Sequence, residues 1–135
     1  MVDSATPPHT RILLVQDDPI LLGLVSGTLR PEGHELIVVS NPIEALELTR
    51  QDFLRIDLVI TRVNLEPISG LEFAKRLARR GIQIPMLLMS ASHGMASVIA
   101  GSLGQACVLE EPFTALELRT SVKRCLSIRR RKLTT

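Results

Sequence analysis

With 135 residues, 45% hydrophobic and 22% charged, the chain has the size and balance of one ordinary domain built on a single core, and no second folded domain is expected. No apolar run approaches 18 residues and the opening MVDSATPPHT is neither basic nor apolar, which argues against a membrane span or secretory leader and for a cytoplasmic protein. The formal charge is +2, but Arg129, Arg130, Arg131 and Lys132 carry four positive charges, and +2 less 4 leaves −2 for the rest; a globular part that is not basic and has no Trp or Tyr is a poor nucleic-acid surface.

Residues 1–10, with Pro7 and Pro8 among small polar residues, read as a flexible N-terminal arm. Short apolar runs then occur at 11–15, 35–39, 57–61, 85–89 and 106–109, each of the kind that forms a strand buried on both faces. Between them apolar residues recur at helical spacing: Leu21, Leu24, Val25 and Leu29; Ile43 and Leu46; Leu71, Ala74, Leu77 and Ala78; then Leu118, Val122, Cys125 and Leu126. Asn41-Pro42-Ile43-Glu44 writes a helix start, and Ser69-Gly70-Leu71-Glu72 and Thr114-Ala115-Leu116-Glu117 read as capping boxes. The segment at about 92–103 is the weakest helix, because Gly94 and Gly101 each cost up to about 1 kcal/mol relative to Ala.

Strand and helix alternate five times, which predicts an α/β doubly wound parallel sheet with helices on both faces. Ligands of such sheets sit at the carboxyl ends of the strands. The candidate site therefore comprises the residues just beyond the strands: Gln16, Asp17 and Asp18; Arg62; Ser90; and Glu111-Pro112. Cys107 and Cys125 lie in apolar surroundings without CxxC spacing and read as buried free thiols. His9, His34 and His93 lack the spacing of a zinc site, so no metal ligand is assigned.

Four stretches in order, ILLVQDDPI, DLVITRVNLEPISGLEF, IPMLLMSAS and LGQACVLEEPF, make residues 11 to about 129 resemble bacterial response-regulator receiver domains of two-component, phosphorelay-type signalling. The resemblance implies a flavodoxin-like sheet in the order 2-1-3-4-5, a receiver-like domain over 11–129 and a basic C-terminal tail over 130–135. It also implies a phosphorylation pocket whose usual nucleophile, an Asp ending strand three, falls on Arg62. A guanidinium is always protonated and cannot attack phosphorus. The first acid of the family's acidic pair falls on Gln16, with Asp17 as the matching acid and Asp18 beside it. The lysine before the proline falls on Glu111, the aromatic switch residue on Val108, and Ser90 keeps the hydroxyl type. A cis peptide is implied before Pro112.

Taken singly, Arg62 reads as a solvated arginine, Glu111 as a surface carboxylate, Asp17 as a helix-capping acid and Ser90 as a turn hydroxyl. Together they describe a degenerate pocket with no catalytic residue, in which Mg²⁺ binding is expected to be lost or weak and Arg62 and Glu111 form an exchanged ion pair, with Asp17 as a competing acceptor. Such a pseudo-receiver would act as a phosphorylation-independent protein-protein interaction module, meeting a signalling partner through about 92–129, with a second copy of itself as a further candidate. Two alternatives stand beside this reading: a phosphoaccepting receiver using Asp17 or Asp18, and a nucleic-acid-associated protein using the basic tail. A solvated helix end explains that tail more simply, since cations there complement the helix dipole.

Overall fold

The computed structural model describes residues 10–51, 55–91 and 106–134. Five strands, β1 (Thr10–Val15), β2 (His34–Val39), β3 (Leu58–Arg62), β4 (Met86–Ser90) and β5 (Ala106–Glu110), form one parallel sheet in the order β2-β1-β3-β4-β5. The described α-helices are α1 (Pro19–Leu29), α2 (Pro42–Leu48), α3 (Gly70–Arg79) and a C-terminal helix (Ala115–Thr134), with a short 3-10 turn at Arg30–Glu32 after α1. The expected weak helix at about 92–103 lies outside the described residues.

Each boundary has a local cause. Asp18 caps α1 by accepting from the Ile20 N–H at 2.9 Å, and Pro19 at the first helical position has no N–H to leave unpaired. Asn41 caps α2 in the same way through Ile43 at 2.7 Å. Thr114 and Glu117 close a reciprocal box: the Thr114 N–H donates to the Glu117 carboxylate at 2.8 Å and the Glu117 N–H to the Thr114 hydroxyl at 3.1 Å. Only half of the Ser69–Glu72 box forms, because Glu72 accepts instead from Arg76 and Arg79 at 3.1 and 3.2 Å.

Strand alternation divides the core into two layers. Leu13, Val15, Val59 and Leu88 face α2 and α3, where Ala45, Leu46, Phe73, Ala74 and Leu77 cover them. Ile12, Leu14, Leu58, Ile60, Leu87 and Met89 face α1 and the C-terminal helix, under Val25, Leu29, Leu118, Val122 and Cys125.

Four expectations are corrected. The run at 35–39 was expected to be buried on both faces, but β2 is an edge strand and is largely half-buried, with Val38 37% exposed. Leu24 belongs to the expected core stripe of α1 yet is exposed; nearly every position of that helix is apolar, so its period selects no face, and contact with the sheet selects Val25 and Leu29. Residues 130–134 continue the C-terminal helix rather than forming a separate tail, and Thr10 already belongs to β1 rather than to the arm.

Gly23 and Gly27 are solvent-facing positions inside α1 where an added Cβ meets nothing within 4 Å. Changing either to alanine is expected to stabilise the fold by about 0.4–1 kcal/mol, since alanine restricts the unfolded chain and suits a helix interior. Denaturant midpoints of the single and double variants measure this; a lowered midpoint would show that these turns are not ordinary exposed helix.

Candidate functional site

The sheet register sets out the site. Val15 pairs with Thr61, so Gln16 follows one strand beside Arg62 on the next. Arg62 pairs with Met89, the residue before Ser90, and Ser90 pairs with Glu110, the residue before Glu111. Gln16, Arg62, Ser90 and Glu111 thus form one row across the carboxyl edge of four adjacent strands. Backbone bonds hold the row: the Gln16 N–H donates to the Val39 carbonyl at 3.0 Å and the Glu111 N–H to the Ser90 carbonyl at 2.8 Å.

Within the row, Arg62 Nε lies 3.4 Å from Glu111 Oε2, with the two side chains 24% and 17% exposed. The contact is an ion pair without a hydrogen bond, and Glu111 Oε2 is buried without a hydrogen-bond partner. Arg62 is therefore not the solvated arginine, nor Glu111 the surface carboxylate, of the simplest reading. Gln16 is 2% exposed; its Oε1 accepts from the Asp18 N–H at 3.0 Å, which turns a buried Nε2 amide without a hydrogen-bond partner to the other side. Ser90 is 3% exposed.

The remaining candidates leave the row. Asp18, not Asp17, is the capping acid of α1, so its carboxylate is committed to a backbone N–H. Asp17 is exposed and lines a cleft of about 510 Å³ with Asn64, Leu65, Glu66, Pro67 and Ser69. Val108 is half-buried and packs into the layer beneath α2 and α3. The Glu111–Pro112 peptide is cis, and so is Glu66–Pro67, for which the sequence carried no expectation. On its far side Glu111 borders a second cavity, of about 360 Å³, walled by Leu21, Leu24, Ala91, Pro112 and Phe113.

Gly70 is the positioning residue that sequence reasoning passed over. Its N–H donates to the Val63 carbonyl at 2.8 Å, and a Cβ built on it would overlap the Arg62 carbonyl oxygen. The start of α3 is thereby seated directly on the strand end that carries Arg62. The motif offered one signal, a glycine immediately after a capping serine.

Residues 12–123 match the model of the response regulator receiver domain. The chain belongs to that family. It is 31% identical over 139 residues to the alkaline phosphatase synthesis transcriptional regulatory protein SphR of Synechococcus elongatus, covering 97% of this chain and 53% of SphR. It is 34% identical over 109 residues to the transcriptional regulatory protein TcrA of Mycobacterium tuberculosis, covering 80% and 42% of the two chains. The receiver chain thus spans about half the length of these curated relatives or less. Among solved structures, a response regulator receiver protein from Sinorhizobium medicae superposes with a TM-score of 0.77 at 29% identity, over 89% of this chain and 96% of that one. The signal receiver domain of an HD domain-containing protein from Pseudomonas fluorescens gives 0.83 at 19% identity, covering 99% and 98%, which bears on the fold. The chain is a receiver domain of two-component signalling, with the sheet order that the family resemblance implied.

Proposed function

We propose that this receiver domain has lost its phosphoacceptor and works, without catalysis, as a phosphorylation-independent interaction module in a two-component or phosphorelay pathway of the cytoplasm. One observation carries the reading: Arg62, at the strand end where a receiver's nucleophilic carboxylate is expected, is paired across the row with Glu111. A protonated guanidinium offers no lone pair for attack on phosphorus. The alternative nucleophiles are poorly placed, with Asp18 capping α1 and Asp17 exposed at the outer cleft.

The donor set also does not suit the Mg²⁺ that the family's chemistry implies. Mg²⁺ needs carboxylate oxygens in octahedral geometry. Here Gln16 presents a buried N–H donor, and the Arg62 cation stands in the same row. No phosphoryl step runs through a metal at this edge in the proposed function.

A module without chemistry acts by contact. The partner surface is assigned to about 92–129, of which 92–105 lie outside the described residues and the rest comprises β5 and much of the C-terminal helix, and a second copy of the chain is a candidate occupant. No described helix is long and apolar enough to cross a membrane.

The test is mass spectrometry of the intact chain after incubation with Mg²⁺ and a small phosphodonor, joined by NMR with beryllofluoride as the phosphoryl mimic. No mass gain and no spectral change are expected. A gain of about 80 Da, one phosphoryl group, mapped to Asp17 or Asp18 would overturn the proposal.

A further inference from the structure

The chain has two cysteines, and the fold brings them into one layer. Alternation along β5 turns Cys107 toward the layer under α1 and the C-terminal helix, opposite to Val108. Cys125 lies on the buried stripe of the C-terminal helix with Leu118 and Val122 and is 0% exposed. Its Sγ approaches the Met86 carbonyl oxygen at 4.0 Å. Met86 pairs in register with Ala106, the residue before Cys107, so Cys125 sits over the beginning of the β4–β5 pair. There the two cysteine side chains share one apolar layer between the sheet and the C-terminal helix.

Their surroundings differ. Cys107 is half-buried on an edge strand, whereas Cys125 is fully enclosed. The neighbouring Cys125 thiol, helped by the Arg124 guanidinium and opposed by burial, brings the Cys107 thiol below its ordinary value. Cys107, together with burial, pushes the Cys125 thiol up. The half-buried Cys107 is thus the more accessible and more readily ionised sulfur, and the enclosed Cys125 its protonated neighbour, an asymmetry that suits stepwise thiol oxidation.

We propose that Cys107 and Cys125 form an oxidisable dithiol, in which Cys107 reacts with a peroxide and Cys125 resolves the product into a disulfide joining β5 to the C-terminal helix. With hydrogen peroxide, the Cys107 thiolate forms an S–O bond as the O–O bond breaks, and the departing hydroxide takes up the proton that Cys107 released, giving water. Cys125 sulfur then attacks the sulfenic sulfur: the S–S bond forms, the S–O bond breaks, and the hydroxyl leaves with the Cys125 proton as a second water. Two thiols are oxidised and one peroxide is reduced. Because β5 and the C-terminal helix both belong to the proposed partner face, the bridge would fix that face, and its formation does not depend on the state of the strand-end pocket.

The experiment uses the whole reduced chain, titrated with hydrogen peroxide, then denatured, blocked with N-ethylmaleimide and weighed intact. The expected product is about 2 Da lighter than the reduced chain, takes up no maleimide and is restored by dithiothreitol. With two cysteines in the chain, an intramolecular bridge has a single possible pairing. Two maleimide adducts after excess peroxide, oxygenated Cys107 beside an alkylatable Cys125, or disulfide-linked dimers would each overturn the proposal. In C125A the reaction should stop at a sulfenic acid that dimedone traps, and in C107A it should not begin. If C125A fails to fold, the wild-type masses still decide.

Discussion

Replacing Gly70 with alanine is expected to destabilise the domain by about 1–3 kcal/mol, the usual cost of overpacking a close-packed site. Alanine improves helix propensity by up to about 1 kcal/mol, so the sign depends on what the new methyl group meets. It would meet the Arg62 carbonyl oxygen, with Thr61 Cγ2 at 3.2 Å. The first obstacle is backbone, in a strand that pairs with β1 on one side and β4 on the other, and it cannot rotate away as a side chain could. Relief would require α3 to lift from β3, breaking the bond from the Gly70 N–H to the Val63 carbonyl. Gly27→Ala, with open space around the same methyl group, is the control in which propensity should win. Urea midpoints with unchanged slope measure both; a midpoint for Gly70→Ala at or above that of the parent would show that the α3 seat is not fixed.

The legible part of the sequence was local. Asn41 before Pro42, and Thr114 three residues before Glu117, fix helix starts through bonds within one turn, and the structure contains those bonds. Apolar runs located all five strands, but hydrophobicity does not record a strand's place in the sheet, so HELIVV on the edge looked like RILLV near the centre. Phe73, fully buried on α3, was passed over because Leu71, Ala74 and Leu77 already satisfied a helical stripe. The meeting of Cys107 with Cys125 escaped notice for a similar reason: a spacing rule sees neighbours along the chain, and this pair is made by laying a helix on a strand. The strand-end row was legible because a parallel α/β order places all strand ends on one edge. Its details were not, since the assignment of the cap to Asp18 rather than Asp17 depends on which carboxylate reaches the Ile20 N–H.

Removing the carboxylate of Glu111 is expected to cost about 1–3 kcal/mol, more than the roughly 0–1 kcal/mol of an exposed pair, because it leaves the Arg62 guanidinium mostly buried without its anion. With side chains 24% and 17% exposed, neither partner can fully recover water where it stands. Two features hold the value well below that of a fully buried pair: the 3.4 Å contact is not a hydrogen bond, and the long arginine stem allows the guanidinium to move toward solvent. Arg62→Asp alone should be similarly harmful, since it sets an aspartate beside Glu111. Combining Arg62→Asp with Glu111→Lys restores opposite charges in the order expected of receivers and should be less destabilising than the two single costs added together. A double-mutant cycle on unfolding free energies isolates that coupling. Because Gly70 seats α3 on the Arg62 backbone, the singles and the double variant should be compared in the Gly70 parent. Coupling within error of zero would mean that the two charges are neighbours without being partners, and the exchanged pair would then no longer explain why an arginine stands at this strand end.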